Sequence, residues 1–120
     1  MAFEEEINDA IGAHSVWKMK LRTAIAVGKA DVNAHDVAKD DACAFGQWLY
    51  SPALSPAVRA SSDYLTVRTL HADFHKCAGK VLEYVSHGDK ARAQALMAGE
   101  YDKVSNDLMA AMRKWKRAVH

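Results

Sequence analysis

The 120-residue chain is 50% hydrophobic and 26% charged, with six glycines and two prolines, which is the profile of one ordinary globular domain with a single core. Sixteen Lys and Arg against fifteen Asp and Glu leave a net charge of +1, so no excess of cations is available for a nucleic-acid backbone or an anionic membrane surface. Two cysteines, Cys43 and Cys77, are too few for a disulfide framework, no apolar run approaches the roughly 20 residues that span a bilayer, and the start MAFEEEINDA is acidic where a secretory signal is basic. The expectation is a cytoplasmic protein with reduced thiols.

From Phe3 to about Lys29, Ile7, Ile11, His14, Trp17, Leu21 and Ile25 recur in steps of three and four, which predicts an amphipathic helix. Ala30 to Asp41 lose this period and are rich in Asp and Asn, so they read as a loop. Asp40 and Asp41 are then placed to cap a short helix from Ala42 to about Tyr50, which Ser51-Pro52 closes. Ser55-Pro56 is a second start signal, a cap followed by proline at the first helical position. A long helix is predicted from about Ser61 to His87, with Val67, His71, Phe74, Ala78, Val81 and Val85 on one stripe and Gly88 as its stop. The last helix, about Asp89 to Val119, carries Met97, Tyr101, Val104, Leu108, Ala111 and Trp115, with a softening near Gly99. The whole chain, residues 1–120, is expected to form one all-α domain. Its predicted architecture is an antiparallel four-helix bundle with three long helices and a short helix carrying Cys43.

His71 and His75 are four residues apart, so they differ by about 40° around the helix and sit one turn apart on one face. That is ligand geometry for one metal ion. His14 lies on the core stripe of the first helix and Cys43 in the first turn of the short one, so an antiparallel bundle can bring all four to one level. Three imidazoles and a thiolate suit tetrahedral zinc far better than calcium or magnesium, which prefer oxygen. Each residue also has a plain packing role open to it, His14 as a hydrogen-bonded core histidine and Cys43 as a small buried thiol.

The same spacing excludes other chemistry. A zinc-protease helix needs Glu directly after its first histidine, and Ala72 stands there. A di-iron bundle needs carboxylates on several core stripes, whereas Glu100, Asp102 and Asp107 fall off the stripe of the last helix. Cys77 lies about 200° around the helix from His75 and reads as a packing residue. His87 suits a helix C-terminus, His35 and His120 read as solvated, and Arg113, Lys114, Lys116 and Arg117 as the solvated end of the last helix.

His14-Ser15-Val16-Trp17, Cys43-Ala44-Phe45-Gly46-Gln47-Trp48-Leu49 and His71-Ala72-Asp73-Phe74-His75, in that order, resemble the signature of the chemoreceptor zinc-binding domain, the CZB family. The resemblance runs from about His14 to Trp115. It implies a four-helix bundle with one zinc ion on His14, Cys43, His71 and His75, a homodimer, and a regulatory role toward a chemoreceptor or a diguanylate cyclase. Gly46 is expected where the short helix approaches its neighbours closely, and Phe45, Trp48 and Trp17 as apolar cover of the site. No output domain accompanies the bundle in this sequence, so a separate partner, or excision from a longer protein, is expected. The functional expectation is a zinc-binding sensory module without enzymatic activity. The alternatives are a permanent zinc-stapled dimerisation module and, from a different class, a hemerythrin-like metal bundle.

Overall fold

The structure, a computed structural model, describes residues 2–29, 32–41 and 43–118. Ala30 and Asp31 of the predicted loop, the predicted helix start at Ala42, the predicted end at Val119 and the solvated His120 lie outside them. Every regular element among the described residues is helical.

Helix α1 spans Ala2–Val27. Ile7, His14, Leu21 and Ile25 are buried as predicted, while Ile11 and Trp17 are half-buried because the covered face is centred nearer Ala10 and Ala24. The helix stops two residues before the expected Lys29. Gly28 takes a left-handed φ of 79°, and the Gly28 and Lys29 N–H groups both bond to Ala24 O.

The segment read as a loop contains a helical turn. In α2 (Ala34–Val37), the Asn33 carboxamide caps the N–H groups of His35 and Asp36, and Val37 is buried. In α3 (Ala44–Leu49) the cap is Cys43 itself rather than Asp40 or Asp41: its Sγ accepts the Gly46 N–H at 3.3 Å. A Cβ on Gly46 would lie 1.6 Å from Asp40 O, so the predicted close approach is to the backbone just before Cys43. Ser55 caps α4 (Pro56–Arg59), and Ser61 caps α5 (Ser62–Ser86). Gly88, at φ 73°, ends α5, with the Asp89 N–H returning to Tyr84 O. Asp89 caps α6 (Lys90–Leu96), which continues through a π turn (Met97–Tyr101) into α7 (Asp102–Ala118). The expected softening near Gly99 is this turn.

The directions of the elements follow from which residues meet. Phe3 packs on Trp115, Ser15 reaches Met109 and Lys18 pairs with Asp102, so α1 and α7 run in opposite directions. Tyr64 on Trp115, Asp63 with Lys114 and Phe74 on Tyr101 set α5 opposite α7 in the same way. Residues 33–41 and 43–54 descend along α5: Ala34 and Ala38 abut Gly79, Val37 reaches His75, Cys43 meets His71, and the Leu49 carbonyl accepts the Tyr64 hydroxyl. Helix α5 is therefore central, packed on α1, α2, α6 and α7 in a body of 45 × 22 × 21 Å. Its buried Val67, Phe74, Val81, Leu82 and Val85 contribute about 1.5–3 kcal/mol each by leaving water. No helix among the described residues is long and apolar enough to cross a membrane.

Candidate metal centre

Midway along the body, α1 supplies His14, the head of α3 supplies Cys43, and α5 supplies His71 and His75. One ligand atom from each lies within 4.8 Å of all the others. Nε2 of His71 is at the centre of the group, 3.0 Å from Nε2 of His14, 3.1 Å from Nε2 of His75 and 3.3 Å from Cys43 Sγ. His71 is fully buried, and His14 and His75 are each 3% exposed.

These contacts cannot all be hydrogen bonds. An imidazole nitrogen offers one hydrogen or one lone pair, so His71 Nε2 can satisfy one of its three neighbours. The tautomers sharpen the point. His14 Nδ1–H donates to Ala10 O at 2.7 Å and His75 Nδ1–H to Val37 O at 2.9 Å, which leaves both Nε2 atoms as bare lone pairs facing the centre. Burial holds His14 down at about 4 and His71 at about 2, with the neighbouring imidazoles adding repulsion, and burial lowers His75 as well. The three rings are therefore neutral. Burial pushes the Cys43 thiol up, and the N–H groups of Gly46, Phe45 and Cys43 itself pull it back.

A cation at the centre resolves this crowding. Tetrahedral zinc, with bonds of about 2.0–2.1 Å to nitrogen and 2.3 Å to sulfur, sets its ligand atoms about 3.3–3.6 Å apart. The 3.0–3.3 Å separations around His71 Nε2 are within a few tenths of an ångström of that. The donor set, the bare Nε2 lone pairs and the charge a buried thiolate requires all fit zinc.

Apolar cover comes from two phenylalanines. Phe45 stands 5.2 Å from the His71 ring and 6.0 Å from that of His14, and Phe74 lies 5.1 Å from His14 and 5.7 Å from His75. Phe45 was expected in this role. Trp48 instead stacks behind Phe45 and joins Phe3, Tyr64 and Trp115 in an aromatic cluster at one end of the body. Trp17 is half-buried under the Lys20 ammonium, 4.8 Å from its ring centre, and packs on none of the ligand rings.

The other candidates stand elsewhere. Cys77 is buried outside the cluster, its thiol pushed up to about 11 by burial and by Glu100. Asp102 pairs with Lys18 and Asp107 with Lys103, so neither turns toward the histidines. His87 is the C-cap of α5, His35 is exposed in α2, and Lys114 pairs with Asp63 at the exposed end of α7. Sequence reasoning missed the carbonyls of Ala10 and Val37, which orient two rings; a backbone acceptor leaves no mark in residue type. Among the described residues, His14, Cys43, His71 and His75 are the group that can hold a metal ion.

A family model described as the chemoreceptor zinc-binding domain matches residues 14–82, more than half of the chain, beginning at His14 and taking in Cys43, His71 and His75. No curated protein and no solved structure gives a significant match.

Proposed function

The chain belongs to the chemoreceptor zinc-binding domain family, with zinc as its cofactor, and from that premise we propose that it is a regulatory module whose single zinc ion is held by His14, Cys43, His71 and His75. The observation that carries this reading is the meeting of four ligand atoms within 4.8 Å, two of them on imidazoles whose other nitrogen already donates to a carbonyl. On this reading residues 1–120 are one domain, a four-helix bundle in which the broken segment 33–54 takes the place of one helix. His14, His71 and His75 would offer three imidazoles and Cys43 a thiolate to the ion, which would serve as a link between helices. Four protein ligands leave no open position for water or substrate, so the module is non-catalytic. The output is a change in helix packing read by a cytoplasmic signalling partner, of the chemoreceptor or diguanylate cyclase kind.

Elemental analysis of protein purified without added metal tests the reading, with one zinc per chain expected. His71→Ala and Cys43→Ala should lose zinc, and Cys77→Ala should keep it; equal loss in all three would refute the ligand set. Sensing is separated from a permanent staple by graded hypochlorite, since Cys43 is the ligand that oxidants convert. Zinc release in step with Cys43 oxidation supports a sensor, and zinc that stays bound to oxidised protein supports the staple.

A homodimer through α1 is the second part of the proposal. Val16, Met19, Thr23 and Ala26 follow each other at steps of three and four and are all exposed, Met19 by 72%. The first third of α1 carries Glu5, Glu6 and Asp9 and the remainder Lys18, Lys20 and Arg22, so a second copy laid antiparallel brings opposite charges together. Sedimentation of wild type against Met19→Lys checks it, with a shift to monomer expected.

A further inference from the structure

The three histidines and the cysteine are held very differently. His14 stands on a helix of 26 residues and His71 and His75 on one of 25, whereas Cys43 heads a helix of six. Besides the packing of Phe45 and Trp48 and the bond from Tyr64 to the Leu49 carbonyl, Asp40 holds that short helix. Its carbonyl fills the space that a Cβ on Gly46 would need, in the first turn of α3. Its carboxylate accepts the hydroxyl of Tyr50, the C-cap residue of the same helix. The two contacts bracket α3 from its first turn to its end. Asp40 O is also 4.0 Å from Cys43 Sγ, and three residues earlier Val37 O receives the Nδ1–H of His75. One stretch of chain, 37–40, thus touches both a ligand ring and the helix that carries the thiol.

We propose that Asp40 and Tyr50 are positioning residues for Cys43: their hydrogen bond clamps α3 onto the 37–40 segment and keeps the thiolate at the histidine cluster. The inference rests on the four-ligand reading of the centre and deepens it, because it names what controls how long the metal stays. Neither side chain is a ligand. The bond lies near the surface, Tyr50 being 44% exposed, so its loss leaves the number of zinc ions unchanged and raises the rate at which Cys43 swings away. Once the thiolate leaves, three imidazoles hold the ion alone.

The experiment uses the full zinc-loaded chain and the variants Tyr50→Phe, Asp40→Ala and the double variant. Zinc release into excess chromogenic chelator gives the rate, and cobalt substitution reports the thiolate through its sulfur-to-metal charge-transfer band. Expected are one zinc per chain in all four proteins, apo melting midpoints that coincide, and release faster on the order of tenfold in each single variant. The double variant should be no faster than either single one, since one bond is lost in every case. The charge-transfer band should weaken in the variants. Release at the wild-type rate with an unchanged band overturns the clamp while leaving the zinc site standing. Faster release explained by an equal drop in apo melting overturns it too, by making the two residues merely structural. Wild-type protein that binds no zinc overturns the four-ligand reading and the clamp with it.

Discussion

The aromatic end and the metal layer lie along the same helices and are held by opposite means. At the end, Phe3, Trp48 and Trp115 meet at ring separations of 5.0, 5.1 and 5.8 Å, Tyr64 closes the cluster against Trp115, and the Tyr64 hydroxyl finds the Leu49 carbonyl at 2.8 Å. The Tyr64 hydroxyl there is satisfied by the chain itself. In the metal layer, His71 Nε2 faces three neighbours of which it can satisfy one, and among the described residues the buried Nδ1 of His71 has no partner. Dispersion between large rings needs nothing from outside, whereas converging lone pairs repel until a cation arrives. One region is complete in itself, and the other is a set of donor atoms that could hold a metal ion.

The sharpest way to break this contrast is Trp115→Ala. The side chain is 2% exposed, and its removal should cost about 3–5 kcal/mol, equally with and without zinc, as read by denaturant melts of both forms. Withdrawal of zinc comes next. At a free zinc concentration 1,000 times the dissociation constant, binding adds about 4 kcal/mol, so a chelator should lower the melting midpoint while tryptophan fluorescence from the aromatic end persists below it. Gly79→Ala has a smaller effect, and it tests how the two regions are joined. Its Cβ would come 2.8 Å from both Ala34 O and the Ala38 side chain, which should cost about 1–3 kcal/mol, push α2 off α5 and weaken zinc retention through Val37. Tyr64→Phe should cost about 1–2 kcal/mol by leaving the Leu49 carbonyl unpaired, with zinc content unchanged.

The sequence speaks clearly where a residue type does one thing along a regular period. The stripe of α5 from Val67 to Val85, the His71 and His75 pair, the Ser55-Pro56 start and the Gly88 stop are all readable, because periodicity, proline and glycine each carry a direct steric meaning. The four candidate ligands, His14, Cys43, His71 and His75, are legible as a set for the same reason. It is silent where the structure uses what every residue has. Ala10 O and Val37 O orient two imidazoles, and a carbonyl has no letter of its own. Helix α2 is four residues long, too short to show a period, and Asn33 is its sole signal. Cys43 takes the capping position expected of Asp40 or Asp41, since its Sγ accepts the Gly46 N–H, and a thiol is a cap that residue type does not announce.

The π turn at Met97–Tyr101 shows how the last helix stays in phase. Ala93, Met97 and Tyr101 are all buried and spaced by four, and each such step in an α-helix advances about 40° around the axis. Left uncorrected, that drift would carry Leu108 and Met112 progressively away from α5. A wider turn uses about one residue more than an ordinary one, setting the rotation back by roughly 100°. With that reset, Met109 and Met112 come back beneath the line of Ala93 and are buried. The segment between Leu96 and Asp102 therefore acts as a spacer of angle rather than of length. A one-residue deletion here, which would turn the π turn into an ordinary α turn, changes which face of the following four turns looks inward.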